Sequence, residues 1–114
     1  MSQRELIAKR YFEAFHAGRI DEILGYFTPQ GTVQYGKEPA KEAEAFFVES
    51  KDLIASLSFT THGIYSSEDT TDVLIHFSYA ASDEEGNVTE VEAVDIIEFD
   101  GGNQIKTVRV IPNS

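Results

Sequence analysis

Val91-Glu92-Ala93-Val94-Asp95-Ile96-Ile97-Glu98-Phe99 alternates as a strand does, with one discordant residue. Successive side chains of a strand point to opposite faces, so Asp95 shares its face with Val91, Ala93, Ile97 and Phe99. Glu90, Glu92 and Glu98 fall on the other face with Val94 and Ile96. One carboxyl therefore sits in a hydrophobic wall, where it must find a hydrogen-bond partner or stay protonated near neutral pH. A carboxyl in that position suits a ligand pocket.

Outward from this stretch, the second half of the chain reads at strand period. Strands are expected over Ser58 to Ser66, Thr71 to Ser82, Val88 to Phe99 and Gln104 to Ile111. They are broken by Ser67-Glu68-Asp69, Asp83-Glu84-Glu85-Gly86-Asn87 and Asp100-Gly101-Gly102-Asn103, residues that turn or tolerate positive φ. Long strands joined by short turns make an antiparallel meander. The first half reads at helical period. From Gln3 to Ala17, Ile7, Tyr11, Ala14 and Phe15 form a stripe that Gly18 stops. Asp21 is the expected N-cap of a short second helix with Ile20, Ile23, Leu24 and Phe27 on its buried side, ended by Thr28-Pro29-Gln30-Gly31. Thr32 to Tyr35 reads as a short strand. Glu38-Pro39 then opens a long helix in which Ala43, Phe46, Phe47, Ser50, Leu53, Ile54 and Leu57 keep one face. The expectation is a single α+β domain over residues 1–114: a cone-shaped, curved antiparallel sheet wrapped around helices and enclosing a deep apolar pocket.

The loop before Val88 decides what faces Asp95. Three loop residues, Glu84-Glu85-Gly86 with Gly86 left-handed, pair Asp83 with Asn87 and set Ile75 opposite Asp95, so that Val73, Ile75, Phe77 and Tyr79 point inward. A loop of two or four residues would turn Asp72, Leu74, His76 and Ser78 inward instead and bring His76 beside Asp95. The hydrophobic pattern favours the first register and an outward His76.

Composition narrows the function. The 114 residues include no cysteine, which excludes disulfides, thiolate metal sites and a cysteine nucleophile, and suggests a reducing, cytoplasmic setting. His16, His62 and His76 show no paired metal-binding spacing, so neither metal nor cofactor is expected. A net charge of −11 argues against nucleic acid and against an acidic membrane surface. No segment reads as a signal peptide or a membrane span.

The element order, together with Tyr11-Phe12-Glu13-Ala14-Phe15-His16-Ala17-Gly18-Arg19-Ile20-Asp21 and Asp95-Ile96-Ile97-Glu98-Phe99-Asp100-Gly101, resembles the NTF2-like superfamily and within it the SnoaL-like and ketosteroid-isomerase-like branch, over essentially the whole chain. The resemblance implies the cystatin-like α+β barrel. In the isomerases a Tyr hydroxyl and a protonated Asp bind a developing enolate oxygen while a second Asp moves the proton; Tyr11 and Asp95 match the first two by position. Tyr35 stands where the proton-moving Asp is expected, and a phenol, titrating near pH ~10, is a poor base at neutral pH. The loop after Tyr35 is also shorter than in the isomerases. What is implied is an oxyanion-binding pair without its base, or, as in SnoaL-like cyclases, one pocket Asp serving as acid or base.

The expected catalytic residues are thus Tyr11 and Asp95, with Phe15, Tyr35, Phe47, Ile75, Phe77 and Val108 as the ligand wall. The expected ligand is a small apolar carbonyl compound undergoing isomerisation, cyclisation or dehydration. A non-catalytic ligand-binding or protein-association module of the same fold remains the alternative. His16 is expected to favour its helix C-terminus as a cation, and His62 has no evident partner. Leu74, His76, Val94 and Ile96 leave apolar surface on the outer face of the sheet, so a homodimer through that face is expected.

Overall fold

In the computed structural model, which describes residues 2–113, the turn before Val88 fixes the sheet. Asp83 N–H donates to Asn87 O (2.9 Å) and Gly86 N–H to Asp83 O (3.1 Å). Gly86 takes φ +84°, the left-handed conformation that closes a three-residue hairpin loop. Asp83 Oδ1 also accepts from the Glu85 and Asn87 amides (2.9 and 2.8 Å). This loop carries β4 (Val73–Ser82) into β5 (Val88–Phe99), with Ile75 opposite Asp95, Phe77 opposite Ala93 and Tyr79 opposite Val91. It is the register expected from the hydrophobic pattern, and His76 lies on the outer face.

Strand β3 (Ser58–Ser66) pairs with β4, and β6 (Ile105–Pro112) pairs with β5, both antiparallel. On the other side of β6 lies β1 (Phe27–Tyr35), and beyond it the two-residue β2 (Lys41–Glu42). The six-stranded order is β2-β1-β6-β5-β4-β3, a curved sheet left open rather than closed into a barrel. The β1–β6 ladder is parallel, unlike the wholly antiparallel sheet expected, because β1 precedes the meander and meets its last strand.

Helix α1 (Gln3–Ala17) begins with a capping box. Ser2 Oγ accepts from Glu5 N–H, and Glu5 Oε1 accepts from Ser2 N–H, so two otherwise orphaned amides are satisfied reciprocally. Its Ala8, Tyr11, Phe12 and Ala14 are buried. Gly18 at φ +69° ends it. Helix α2 (Ile20–Gly25) follows at once, with Arg19 rather than Asp21 at the N-cap. The α1 stop consumes no further residues, since Arg19 N–H donates to Ala14 O (3.0 Å) while Arg19 O already accepts from Ile23 (3.0 Å). Asp21 sits instead in the first turn, where a carboxylate suits the helix dipole.

Two boundaries differ further. Thr28–Gly31 lies inside β1 rather than in a turn, within an irregularity where β1 uses five residue steps, Phe27 to Thr32, against two in β6, Ile105 to Thr107. Pro29, which lacks an N–H, is tolerated at such a bulge. Helix α3 spans Ala43–Ala55 and does not start at Pro39, because Lys41 and Glu42 are drawn into pairing with Val33 and Thr32. Leu53, expected on the buried stripe, is 64% exposed; α3 covers a cavity, and that part of its stripe forms the rim.

The core lies between the helices and the concave face of the sheet. Phe47 of α3 is 1% exposed, with the Phe27 ring 5.9 Å away and Tyr11 6.2 Å away. Phe12 packs on Phe77 at 4.8 Å. Among the described residues no helix is long and apolar enough to cross a membrane.

Candidate functional site: a buried carboxyl in an aromatic cavity

Between α1, α3 and the sheet is a cavity of about 420 Å³, within the range of small-molecule sites. Its wall includes Phe15, Phe46, Phe59, Phe77, Val33, Ile54, Leu57 and Val110. Its polar groups are Tyr11, Tyr35, Tyr79, Ser50 and Asp95, with Glu38 and Lys41 at the rim. The walls come from three sources: the α1 stripe, the α3 stripe and the inward parity of the strands.

Asp95 is placed by β5, with Ile75 of β4 on one side and Val110 of β6 on the other. It is 3% exposed, and its Oδ1 is sealed from solvent with no hydrogen-bond partner among the described residues. Burial alone raises its pKa from the ordinary 3.8 to about 8, because no bond stabilises the charged form in a medium that disfavours it. At neutral pH the group is a carboxylic acid, able to donate one hydrogen bond and to accept others.

Tyr11 of α1 is 2% exposed. Its hydroxyl is held well above the ordinary phenol range, first by burial and then by the field of Asp95. The two groups sense each other, yet Asp95 Oδ1 stays unbonded. The Tyr11–Asp95 hydrogen bond expected of an oxyanion-binding pair is not formed among the described residues. Both instead line the same void. Tyr35 reaches across from β1 to Tyr79 of β4, hydroxyl to hydroxyl at 2.6 Å. Tyr79 is raised above the ordinary phenol pKa, first by burial and then by its bond to Tyr35.

Of the ligand wall expected from sequence, Phe15, Tyr35 and Phe77 line the cavity with Tyr11 and Asp95. Phe47, Ile75 and Val108 do not. They are at most 1% exposed and belong to the core layer behind the wall, because the α3 face seen by the cavity is that of Phe46, Ser50 and Leu53, and on β6 it is Val110. Tyr79 shares parity with Ile75 and Phe77, so the register already turned it inward; its contact with Tyr35 has no signal in the sequence.

The remaining histidines serve other contacts. His16 is stacked on Phe59 (4.7 Å, 16°), and partial burial lowers its pKa despite Glu13, the reverse of the helix-end cation expected. His62 does have a partner, Ser78 Oγ at 2.9 Å. His76 Nε2 meets Glu92 Oε2 at 2.8 Å on the outer face. Among the described residues no cluster of His, Asp and Glu is arranged to hold a metal.

A family model described as a SnoaL-like domain matches residues 8–108. Among solved structures the chain is similar to SalBIII, an epoxide hydrolase/cyclase-like enzyme of pyran ring formation in the polyether salinomycin, at 18% identity and TM-score 0.81, covering 97% of this chain and 91% of that one. An NTF2-like protein of unknown function from Cytophaga hutchinsonii gives 17% identity, TM-score 0.78 and coverage of 96% and 98%. A protein proposed to be a SnoaL-like polyketide cyclase, from Jannaschia sp. CCS1, gives 14%, 0.80 and coverage of 99% and 90%. Identities this low speak to the fold. No curated protein matches the chain by sequence.

Proposed function

The chain belongs to the SnoaL-like domain family, and from that premise we propose that it binds a small apolar carbonyl compound in its cavity and isomerises, cyclises or dehydrates it with Asp95 as the acid. The observation that carries this reading is the neutral, unbonded Asp95 carboxyl at the wall of a largely apolar void. A protonated carboxyl in a dry site donates to a carbonyl oxygen and stabilises charge that develops there, and it costs no reorganisation at the moment of reaction. Tyr11, also protonated, stands by as a second donor on the same void. With Tyr35 where the isomerases carry a base, Asp95 serves both steps: it gives its proton to the carbonyl oxygen, and the carboxylate so formed takes the proton from the neighbouring carbon, which restores the acid, as in a cyclase with one acid–base group. The similarity to cyclase-like structures is consistent with this chemistry.

The test is a turnover screen of cyclic and linear ketones followed by Asp95→Asn. The variant keeps shape and hydrogen-bonding capacity but cannot exchange a proton, so turnover should fall about 10²–10⁴-fold while ligand affinity changes little. Equal turnover by the variant refutes the role. A non-catalytic binding protein is the second reading, favoured by the missing Tyr11–Asp95 bond. It predicts tight ligand binding with no product.

The same reading includes a homodimer through the outer sheet face, where Tyr65 and Ile111 are 57% and 45% exposed beside the half-buried Leu74, Val94 and Ile96. Light scattering behind gel filtration at micromolar concentration should report twice the chain mass, and a monomer would refute it.

A further inference from the structure

We propose that the Tyr35–Tyr79 hydroxyl pair is a second polar pole of the cavity, which selects ligands carrying a hydrogen-bond acceptor at each of two opposite ends, one for Asp95 and one for the tyrosines. The inference rests on the ligand-binding reading above and names the class of ligand it would take.

The pair has two O–H groups, and the 2.6 Å contact uses one of them. The second O–H finds no partner among the described residues, although both rings line the cavity. A phenol whose oxygen accepts a hydrogen bond has a more polarised O–H of its own, so the second O–H is a good donor for a ligand in the cavity. Surroundings reinforce this. The Phe59 and Phe77 rings lie 6.0 and 6.3 Å from Tyr79 and offer no competing acceptor.

The sheet sets the separation of the poles. Tyr35 pairs with Val110, and Val110 pairs with Asp95, so Tyr35 and Asp95 stand level, two ladder steps or about 10 Å apart at the backbone. Tyr79 is four residues along β4 from Ile75, the partner of Asp95, about 13 Å at strand rise. The backbones that carry the hydroxyl pair are therefore set off from that of Asp95, and Phe77 and Val110 form apolar wall in the same cavity. Below the Asp95 pKa of about 8 each pole offers a donor. The matching ligand is an apolar body with an acceptor oxygen at both ends, such as a dicarbonyl.

The test uses three para-substituted benzenes of matched shape: 1,4-diacetylbenzene with two acceptors, 4-ethylacetophenone with one and 1,4-diethylbenzene with none. Dissociation constants are measured by NMR titration at about pH 6, where Asp95 is protonated. Wild type should prefer the diacetyl probe to the monoacetyl one by about fivefold, the yield of one neutral hydrogen bond. The Tyr35→Phe/Tyr79→Phe double variant keeps both rings and should reduce that preference to about twofold, the statistical advantage of two equivalent acetyl groups. A preference of about twofold or less in wild type, or one that survives undiminished in the double variant, overturns the second pole. Where 4-ethylacetophenone still binds and is weakened by Asp95→Leu, that result leaves the carbonyl-binding reading intact; failure of every probe to bind wild type overturns both. A measurement on wild type alone guards against misfolding of the variant. Nuclear Overhauser contacts should run from the diacetyl methyls to both the Tyr79 ring and the Tyr11 ring, which marks the Asp95 end, and contacts to Tyr11 alone overturn the proposal.

Discussion

Asp95 should make the protein less stable as pH rises, the reverse of ordinary acid denaturation. Its carboxyl titrates near 3.8 when exposed and at about 8 when buried in the fold. Below 3.8 both states hold the proton and the site has no net effect. Between 3.8 and 8 the unfolded chain releases the proton and the folded chain keeps it, so stability falls by about 1.4 kcal/mol per pH unit. Above 8 both are ionised and the penalty stays at its full value. At pH 7 the loss is about 4 kcal/mol, against a total of about 5–15 kcal/mol for a domain. Glu5 and Asp83, whose pKa values are lowered by hydrogen bonds to Ser2 and Asn87, act in the opposite sense, so the clean quantity is the difference between wild type and Asp95→Asn. Asparagine occupies the same space and does not titrate. Urea unfolding of both proteins at fixed concentration should show the variant gaining on wild type from pH 5 to pH 7. With a slope of about 1.5 kcal/mol/M, the gap between midpoints should widen by about 2 M over that range. A gap that does not change with pH would mean Asp95 is ionised in the fold or bonded to something, and the argument for a buried acid would fail with it.

Ligand binding should carry the same titration: affinity for 4-ethylacetophenone should hold below pH 8 and weaken above it as Asp95 loses its donor proton, and an NMR titration series checks this. Phe47→Ala removes a 1%-exposed ring and should cost about 3–5 kcal/mol in urea unfolding. Gly31→Ala would place its Cβ 2.6 Å from Phe27 Cδ2 and 3.2 Å from Thr28 O, an overpacking of the β1 bulge worth about 1–3 kcal/mol. Gly86→Ala meets no atom within 4 Å, so its cost should be the left-handed backbone alone, about 1–2 kcal/mol, and thermal melts of the two glycine variants should rank accordingly.

The sequence made the meander legible because each strand carries its own alternation and each turn its own glycine or Asx residue. The β4–β5 register followed from both signals, and with it the inward placement of Asp95, Phe77 and Tyr79. Less legible were segments whose conformation is decided by a distant partner. Thr28–Gly31 looks like a turn locally and becomes strand because Phe27 and Thr32 pair with Ile105 and Thr107. Pro39 looks like a helix start, yet pairing of Lys41 and Glu42 with β1 delays the helix to Ala43. The site divides the same way. That Asp95 is buried follows from parity, but whether Tyr11 bonds it, whether Tyr35 reaches Tyr79, and whether Phe46 or Phe47 faces the void depend on angles between elements that no local pattern encodes.

The parallel ladder between β1 and β6 has a kinetic consequence. Tyr11 and Tyr35 lie on one side of the meander in chain order and Asp95 and Tyr79 within it, and β6 is the strand that binds β1 to the rest of the sheet. Closing a loop from residue 35 to residue 105 is costly in chain entropy and is repaid only once the final strand docks. The cavity should therefore assemble late and as a unit during refolding, with probe binding appearing in the same slow phase as protection of the β6 amides.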